Sequence, residues 1–446
     1  MLDSDVNKEP AGSPSPKKGR FSAWGYLKIT MLVFATTALW QGMHSVILPI
    51  RVLDFVPEAE KNTYLGLLVS TGLILAMVVQ PIIGAISDRC GSRWGRRRPF
   101  IFAGVMLLVL LLPVIGLAGS YAILFAAYCL LQISSNTAQS THQGFIPDLV
   151  PDNKRGLASG VKGFLEILGG VALLYPISIF MDNYANAGGS QWLWLSLGLL
   201  GIVLLGFMLA TVLTVREKPY ILQPTGGKPL PTLGDILAFL KNAPPRLIGF
   251  IRTQRGFVWF LASRLLFFLA MSTIQRFALY FLDDVIGVED PAASVFNFSI
   301  LAVIGMLLIV YPTGRLSDRI GRKPIAISAG IVGAAGILII IIYQSYTSVM
   351  VAAGFLGVAT GAFSSTNWAL ATDLVAKGKE ARYLGLANMA TAGAGALAGF
   401  FGPLIDHYKA VSVVLGYRIM LIICLAFFVL GGLLILKIKT RSTEDV

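Results

Sequence analysis

The chain has 446 residues, 55% of them hydrophobic and only 13% charged, with a mean hydropathy of +0.74. So few charges cannot cover so much apolar surface on a soluble protein of this length, and the long unbroken apolar runs are not the alternating pattern of a β-barrel. The net charge of +13 invites a nucleic-acid partner, but the basic residues gather in alternate loops between apolar runs, which is a topology signal.

Residues 1–20, rich in Pro, Ser, Gly and Lys, read as a disordered tail. The first apolar run has no small-residue cleavage site and reads as an uncleaved first helix. A bilayer core of ~30 Å needs about 20 apolar residues per helix. On that rule an all-α polytopic fold with twelve spans is expected, at 27–50, 64–87, 99–119, 121–146, 156–180, 191–214, 256–282, 293–316, 324–343, 347–372, 382–405 and 413–437. The expected domains are a tail to 26, a six-helix bundle over 27–214, a linker over 215–255, a second six-helix bundle over 256–437, and a tail over 438–446. Of the 36 Lys and Arg, 29 fall on one side of these spans and four on the other. The bias places both termini in the cytoplasm and the acidic loop Asp283, Asp284, Glu289, Asp290 outside. The Pro-rich linker follows span six and joins the bundles. Trp40, Tyr121, Tyr184, Trp192, Trp194, Tyr220, Trp259 and Tyr280 read as an aromatic belt at span ends.

After span two comes Gly84-Ala85-Ile86-Ser87-Asp88-Arg89-Cys90, then Gly95-Arg96-Arg97-Arg98-Pro99. After span eight comes Gly314-Arg315-Leu316-Ser317-Asp318-Arg319, then Gly321-Arg322-Lys323-Pro324. A second pair, Asp148-Leu149-Val150 with Arg155 and Asp373-Leu374-Val375 with Arg382, repeats at nearly the same offset. Two matches at about half the chain length indicate a parallel 6+6 repeat.

These features together resemble the major facilitator superfamily over residues 25–440. Val79-Gln80-Pro81, Ser87-Asp88-Arg89-Cys90 and Gly95 to Ile101 look more narrowly like the sucrose–proton symporters and the glycoside–pentoside–hexuronide group. The resemblance implies rocking of two bundles around a central site lined by spans 1, 4, 7 and 10, with a sugar moved together with protons. The melibiose-type branch uses carboxylates in spans two and four for sodium; this chain has none there.

In the basic loops Asp88, Arg89, Arg96, Arg97, Asp148 and Arg155, with Asp318, Arg319, Arg322, Asp373 and Arg382 in the second half, are candidates for a cytoplasmic gate. Arginine forks onto carboxylates at helix ends can form and break as the bundles rock; control of topology is the plainer role. Span four carries Gln132, Ser135, Asn136, Gln139 and Gln143 on one helical face. Amides donate and accept together, which suits a polyhydroxylated ligand, while hydrogen bonding between helices is the alternative. His142, Asn367 and Trp368 extend this set in the paired spans four and ten. On span one Gln41 and His44, and on span seven Arg264 and Arg276, complete the candidate substrate contacts, with Arg264 deeper from the cytoplasmic side and Arg276 in the outer vestibule. Charges inside spans default to function. Glu166, the carboxylate near the middle of span five, is a candidate for proton coupling, and Lys162 one turn away either tunes it or holds it ionised.

No phosphate-binding G-x-x-x-x-G-K-[ST], zinc motif or nucleophile elbow is present. No enzyme activity, cofactor or metal is expected. Cys90, Cys129 and Cys424 form no visible disulfide framework. The expected partners are a small solute, most simply a sugar, the proton and the lipid bilayer, with no nucleic acid. The protein is expected to be a monomer in a bacterial inner membrane. Export of drug-like compounds and a non-transporting receptor on the same fold are the alternatives.

Overall fold

The computed structural model describes residues 23–88, 90–151, 154–217, 254–374 and 380–438, without the side chains of 318, 368, 369, 372, 373, 380–382 and 384. Arg89, most of the linker, both tails and the side chains of Asp318, Trp368, Asp373 and Arg382 therefore lie outside the described residues.

Among the described residues, twelve long helices follow one another. They are α1 (Ala23–Leu53), α2 (Lys61–Ser87), α3 (Arg98–Leu117), α4 (Tyr121–Gln143), α5 (Arg155–Ala187), α6 (Ser190–Thr214), α7 (Arg255–Ile286), α8 (Pro291–Ile320), α9 (Arg322–Ile342), α10 (Tyr346–Leu374), α11 (Glu380–Ala398) and α12 (Val413–Leu436). The short segment Phe401–Lys409 continues α11 after a break. Among the described residues, ten helices are long and apolar enough to cross a bilayer. The two that fall short do so for visible reasons: α4 carries the amide stripe, and α11 is interrupted between Ala398 and Phe401. The protein is a multi-pass membrane protein.

Local chemistry sets the helix ends. Ser120 caps α4 by accepting from the Ile123 amide. Pro291 occupies the first turn of α8, where a missing amide hydrogen costs nothing. Two helices contain a widened turn. In α1 it covers Met43–Ile47, centred on Ser45, the residue four before Pro49. Proline lacks the donor for the Ser45 carbonyl and its ring crowds that carbonyl, so the helix opens by one residue. In α7 it covers Leu282–Ile286 and ends at Gly287, whose φ of 69° is left-handed. These two turns carry His44 and Asp284.

Packing repeats with a step of six helices. In the first half α1 packs on α5 and α6, and α3 and α4 on each other, with α2 on α4 and α3 on α6. In the second half α7 packs on α11 and α12, α9 on α10 and α12, and α8 on α10. The halves meet through α2 with α11 and through α5 with α8. The Leu174–Ala187 part of α5 packs on α8 far more extensively than the Arg155–Ala172 part does. We call the end that carries loop 88–98 the basic end; this closer packing lies at the opposite end.

Candidate functional site

A cavity of mixed polar and apolar lining lies between the halves in the middle of the helices. One chamber of about 240 Å³ is lined by Thr37, Trp40, Gln41, His44, Ser272 and Arg276, among others. An adjoining chamber of about 270 Å³ is lined by Gln80, Gln132, Asn136 and Gln139, and shares Trp40, His44 and Leu73 with the first. Together they have the size and mixed lining of a small-molecule site.

The amides are ordered by one another. Gln80 Nε2 donates to Asn136 Oδ1 at 2.7 Å, Asn136 Nδ2 to Gln132 Oε1 at 3.1 Å, and Gln132 Nε2 to the Tyr128 hydroxyl at 2.7 Å. The same hydroxyl lies 2.8 Å from His44 Nε2. A hydroxyl that accepts from Gln132 has its hydrogen left for His44, which fits a neutral imidazole acceptor. The chain thus runs from α2 through α4 to α1 and fixes the directions in which the cavity donates and accepts. Trp40 stacks on His44 with centroids 5.1 Å apart, and its indole nitrogen donates to Ser135 Oγ at 2.9 Å.

Trp40 corrects the expected aromatic belt. It sits midway along α1, on the same face as His44 four residues on, because α1 begins at Ala23 and runs further on both sides than the apolar run alone indicates. Tyr128, Gln80, Ser272 and Gln275 also escaped sequence reasoning. The i,i+4 spacing from Gln132 marks Tyr128, Gln80 stands in the Val79-Gln80-Pro81 motif without an assigned role, and Ser272 and Gln275 carry no local signal.

The candidate arginines part company. Arg276 lines the cavity, is only 8% exposed, and its Nη1 has no hydrogen-bond partner among the described residues. Arg264 is tied inside the second half: Nε donates to the Ala387 carbonyl at 3.0 Å and Thr391 Oγ1 at 2.8 Å, and Nη1 to Asn367 Oδ1. Arg264 and Asn367 thus brace α7, α10 and α11. Of the two candidate ligand contacts, Arg276 lines the central cavity and Arg264 does not.

Glu166 and His142 face a smaller pocket of about 60 Å³, which borders the central chambers at Thr37 and Gln139. Glu166 Oε1 accepts from Lys162 Nζ at 2.6 Å, and the pair is 25% and 40% exposed at its two side chains. His142 is buried, meets Phe145 edge-on, and keeps an unbonded Nε2 among the described residues.

At the basic end Asp148 Oδ2 accepts from Arg96 Nη2 at 2.5 Å and from Arg97 Nε at 3.0 Å. Arg97 also reaches Asp88 at 2.8 Å and Ser87 Oγ at 2.8 Å. Desolvation alone would lower the Arg96 pKa, but the hydrogen bond and charge of Asp148, with Asp88 and Glu217 beyond, raise it. Glu217, outside every motif, accepts the backbone amides of Arg97 and Arg98 at the start of α3. Gly95 makes room for it: φ is 105°, and a Cβ would lie 2.2 Å from the carboxylate. Arg96, Arg97 and Arg155 are all candidate partners of Asp148 in the sequence, and Arg155 is not among those it meets. Instead the Arg155 guanidinium donates to the carbonyls of Pro147 and Val150, because Arg96 and Arg97 already hold the carboxylate. In the second half Arg319 is exposed and Arg322 half-buried.

The opposite end carries a cluster that no motif announced. Asp284, 5% exposed, accepts from Lys61 Nζ at 2.7 Å, Lys409 Nζ at 2.9 Å and the Tyr417 hydroxyl at 2.6 Å. Lys61 comes from the first half and lies over the Tyr280 ring at 4.8 Å. Asp406 accepts from Asn62 Nδ2 at 2.8 Å and the Thr63 amide at 2.7 Å. Asp182 of α5 accepts the Ala292 and Ala293 amides at 2.9 and 2.7 Å, capping α8 across the boundary. Gly66 and Gly399 allow the backbones to touch here: a Cβ on Gly66 would lie 2.1 Å from the Gly399 carbonyl oxygen. Sequence alone gave no link, since Lys61 and Asp284 are 223 positions apart.

A family model described as Major Facilitator Superfamily matches residues 30–399 and also 294–445. Among curated relatives, the lactose permease of Leuconostoc lactis is 23% identical over 70% of this chain and 48% of its own length. The sucrose transport protein SUT1 of Oryza sativa subsp. japonica is 34% identical over 20% of this chain and 21% of its own. The chain thus spans about half of the first relative and about a fifth of the second. Two solved structures share the fold. A bacterial homologue of the human lysosomal transporter Spinster, inward-facing and occupied, superposes with a TM-score of 0.71 at 14% identity, covering 93% of this chain and 96% of that one. A D-xylose-proton symporter does so with a TM-score of 0.68 at 17% identity, covering 94% and 97%.

Proposed function

The chain belongs to the major facilitator superfamily, and on that premise we propose that it is a secondary carrier that moves a sugar or glycoside together with protons. The observation that carries this reading is the cavity between the halves, lined by an ordered run of amides beside an indole. Side-chain amides offer fixed donors and acceptors to a polyhydroxylated solute. The Trp40 ring adds an apolar face for the C–H side of a pyranose. The likeness to sugar permeases and a sugar symporter points the same way.

The transport cycle is alternating access. The basic end is cytoplasmic, by the distribution of Lys and Arg, and the Asp284 cluster is then an outer gate. In this reading the Lys61–Asp284 and Asn62–Asp406 contacts keep that gate shut and the cargo reaches the cavity from inside. Opening to the outside separates Lys61 and Asn62 from Asp284 and Asp406 and withdraws Asp182 from α8. Each of these contacts has discrete made and broken states, as a switching element needs. Arg97, Asp88 and Asp148 brace the cytoplasmic end of the first half. Coupling rests on the pocket of Glu166, Lys162 and His142, which borders the cargo chambers. A proton on Glu166 releases Lys162, so the charge of this pocket changes with the load beside it.

The test is uptake of radiolabelled sucrose, maltose and glucose into proteoliposomes, with and without an imposed pH gradient. Accumulation that needs an acidic exterior supports sugar–proton symport. Gradient-independent equilibration of a sugar retains the carrier and removes the coupling. No saccharide uptake under any gradient overturns the sugar reading.

A further inference from the structure

Among the described residues, the central cavity has a charge without a counter-charge. Arg276 is more than nine-tenths buried, faces the cavity, and keeps Nη1 without a partner among the described residues. The described residues lining the two central chambers include no Asp or Glu. Glu166, the carboxylate among the described residues of the adjoining pocket, is held by Lys162 at 2.6 Å. Arg264, the other arginine of α7, is supplied with acceptors by Ala387, Thr391 and Asn367. The same helix therefore carries one satisfied arginine and one unsatisfied one, and the unsatisfied one is at the cavity.

A guanidinium buried in a membrane-spanning protein is costly unless an anion or several acceptors meet it. Neutral hydroxyls satisfy its hydrogen bonds but leave its charge uncompensated. A carboxylate does both, because its two oxygens match the planar fork of the guanidinium. Amides dominate the remaining polar lining and carry no charge to compete for either partner. We infer that Arg276 is the docking point for a carboxylate on the cargo, so that the preferred substrate is a saccharide bearing an acid group. This inference rests on the reading of the cavity as the cargo site.

The experiment is isothermal titration of the purified full-length protein at neutral pH with methyl β-D-glucoside and methyl β-D-glucuronide, and with gluconate as an open-chain acid. The two pyranosides differ only at C6, where one has a hydroxymethyl group and the other a carboxylate. The glucuronide is expected to bind at least roughly tenfold tighter, about one charge-assisted contact in affinity terms. Arg276→Gln brings the glucuronide down to the glucoside. Arg276→Lys keeps part of the preference, having the charge without the fork. Thermal unfolding of each variant confirms that it is folded. Equal affinities in the unaltered protein, or an undiminished preference in folded Arg276→Gln, overturns the inference. Binding of the glucoside alone overturns it and leaves the sugar reading standing. Binding of gluconate with neither pyranoside supports the anion site and overturns the glycoside reading. Binding of none of the three overturns both.

Discussion

The Asp284 cluster and the Asp148 cluster use the same chemistry for opposite connections. Each is a carboxylate gripped by two cations: Lys61 and Lys409 for Asp284, Arg96 and Arg97 for Asp148. Around Asp284 one cation comes from each half of the molecule, so the cluster joins the halves. Around Asp148 both cations come from one loop of the first half, so the cluster stiffens that half. The burial differs too. Asp284 is 5% exposed and Asp148 25%, which makes the first far more sensitive to loss of a partner. A charged motif that stands out in the sequence is thus a brace, and the contact that spans the halves is assembled from residues that no motif contains.

Breaking Asp284 has the largest expected effect. Asp284→Asn leaves Lys409 without its anion and Lys61 with only its longer contacts to Asp283 and Glu58 at 3.5 Å, and removing one partner from such a buried group costs about 3–5 kcal/mol. The cost falls on the conformation closed at that end, so the variant unfolds at lower temperature and reacts faster with a thiol reagent at a cysteine placed on the α2 face of the gate. Next comes Gly66→Leu. Its side chain has no space against the Gly399 backbone, and overpacking of this kind costs about 1–3 kcal/mol. It opens the same end while leaving every charge in place, so accessibility rises without loss of the Lys61–Asp284 partners.

Arg97→Gln sharpens the contrast from the other side. It removes the contacts to Asp88, Ser87 and Asp148, while Arg96 still holds Asp148. A loss of about 1–3 kcal/mol is expected from charge-assisted bonds of this kind, read as a lower unfolding temperature with the far end as closed as before. The smallest effect on stability is that of Glu166→Gln. The pair with Lys162 is too exposed for solvent not to screen it, so less than about 1 kcal/mol is at stake. Its effect belongs to transport: sugar exchange persists and pH-driven accumulation is lost. Normal accumulation in that variant removes Glu166 from coupling.

The helices were legible because a lipid-spanning segment must be long and apolar, and all twelve expected spans coincide with helices. The amide stripe of α4 was legible because side chains at i, i+3, i+4 and i+7 share a face. Trp40 was not, because an aromatic residue inside an apolar run looks the same whether it meets lipid headgroups or a cavity. Arg264 and Arg276 were indistinguishable in sequence: their difference lies in what α10 and α11 present to each. Lys61, Asp284 and Lys409 appeared as isolated loop charges, since a contact between halves is set by tertiary approach and leaves no local pattern. Glu217 escaped because its partners are backbone amides, which every sequence has.

The central claim is that the halves rock about the cavity, with the Asp284 cluster holding one end shut. Distances between paired spin labels test it most directly, in protein with Cys90, Cys129 and Cys424 replaced. One pair, at Ala185 and Gln344, reports on the gated end; the other, at Arg93 and Arg319, reports on the basic end, and all four positions are exposed. The account predicts that Asp284→Asn lengthens the first distance and shortens the second. Unchanged distances at both ends in a folded Asp284→Asn protein would contradict it.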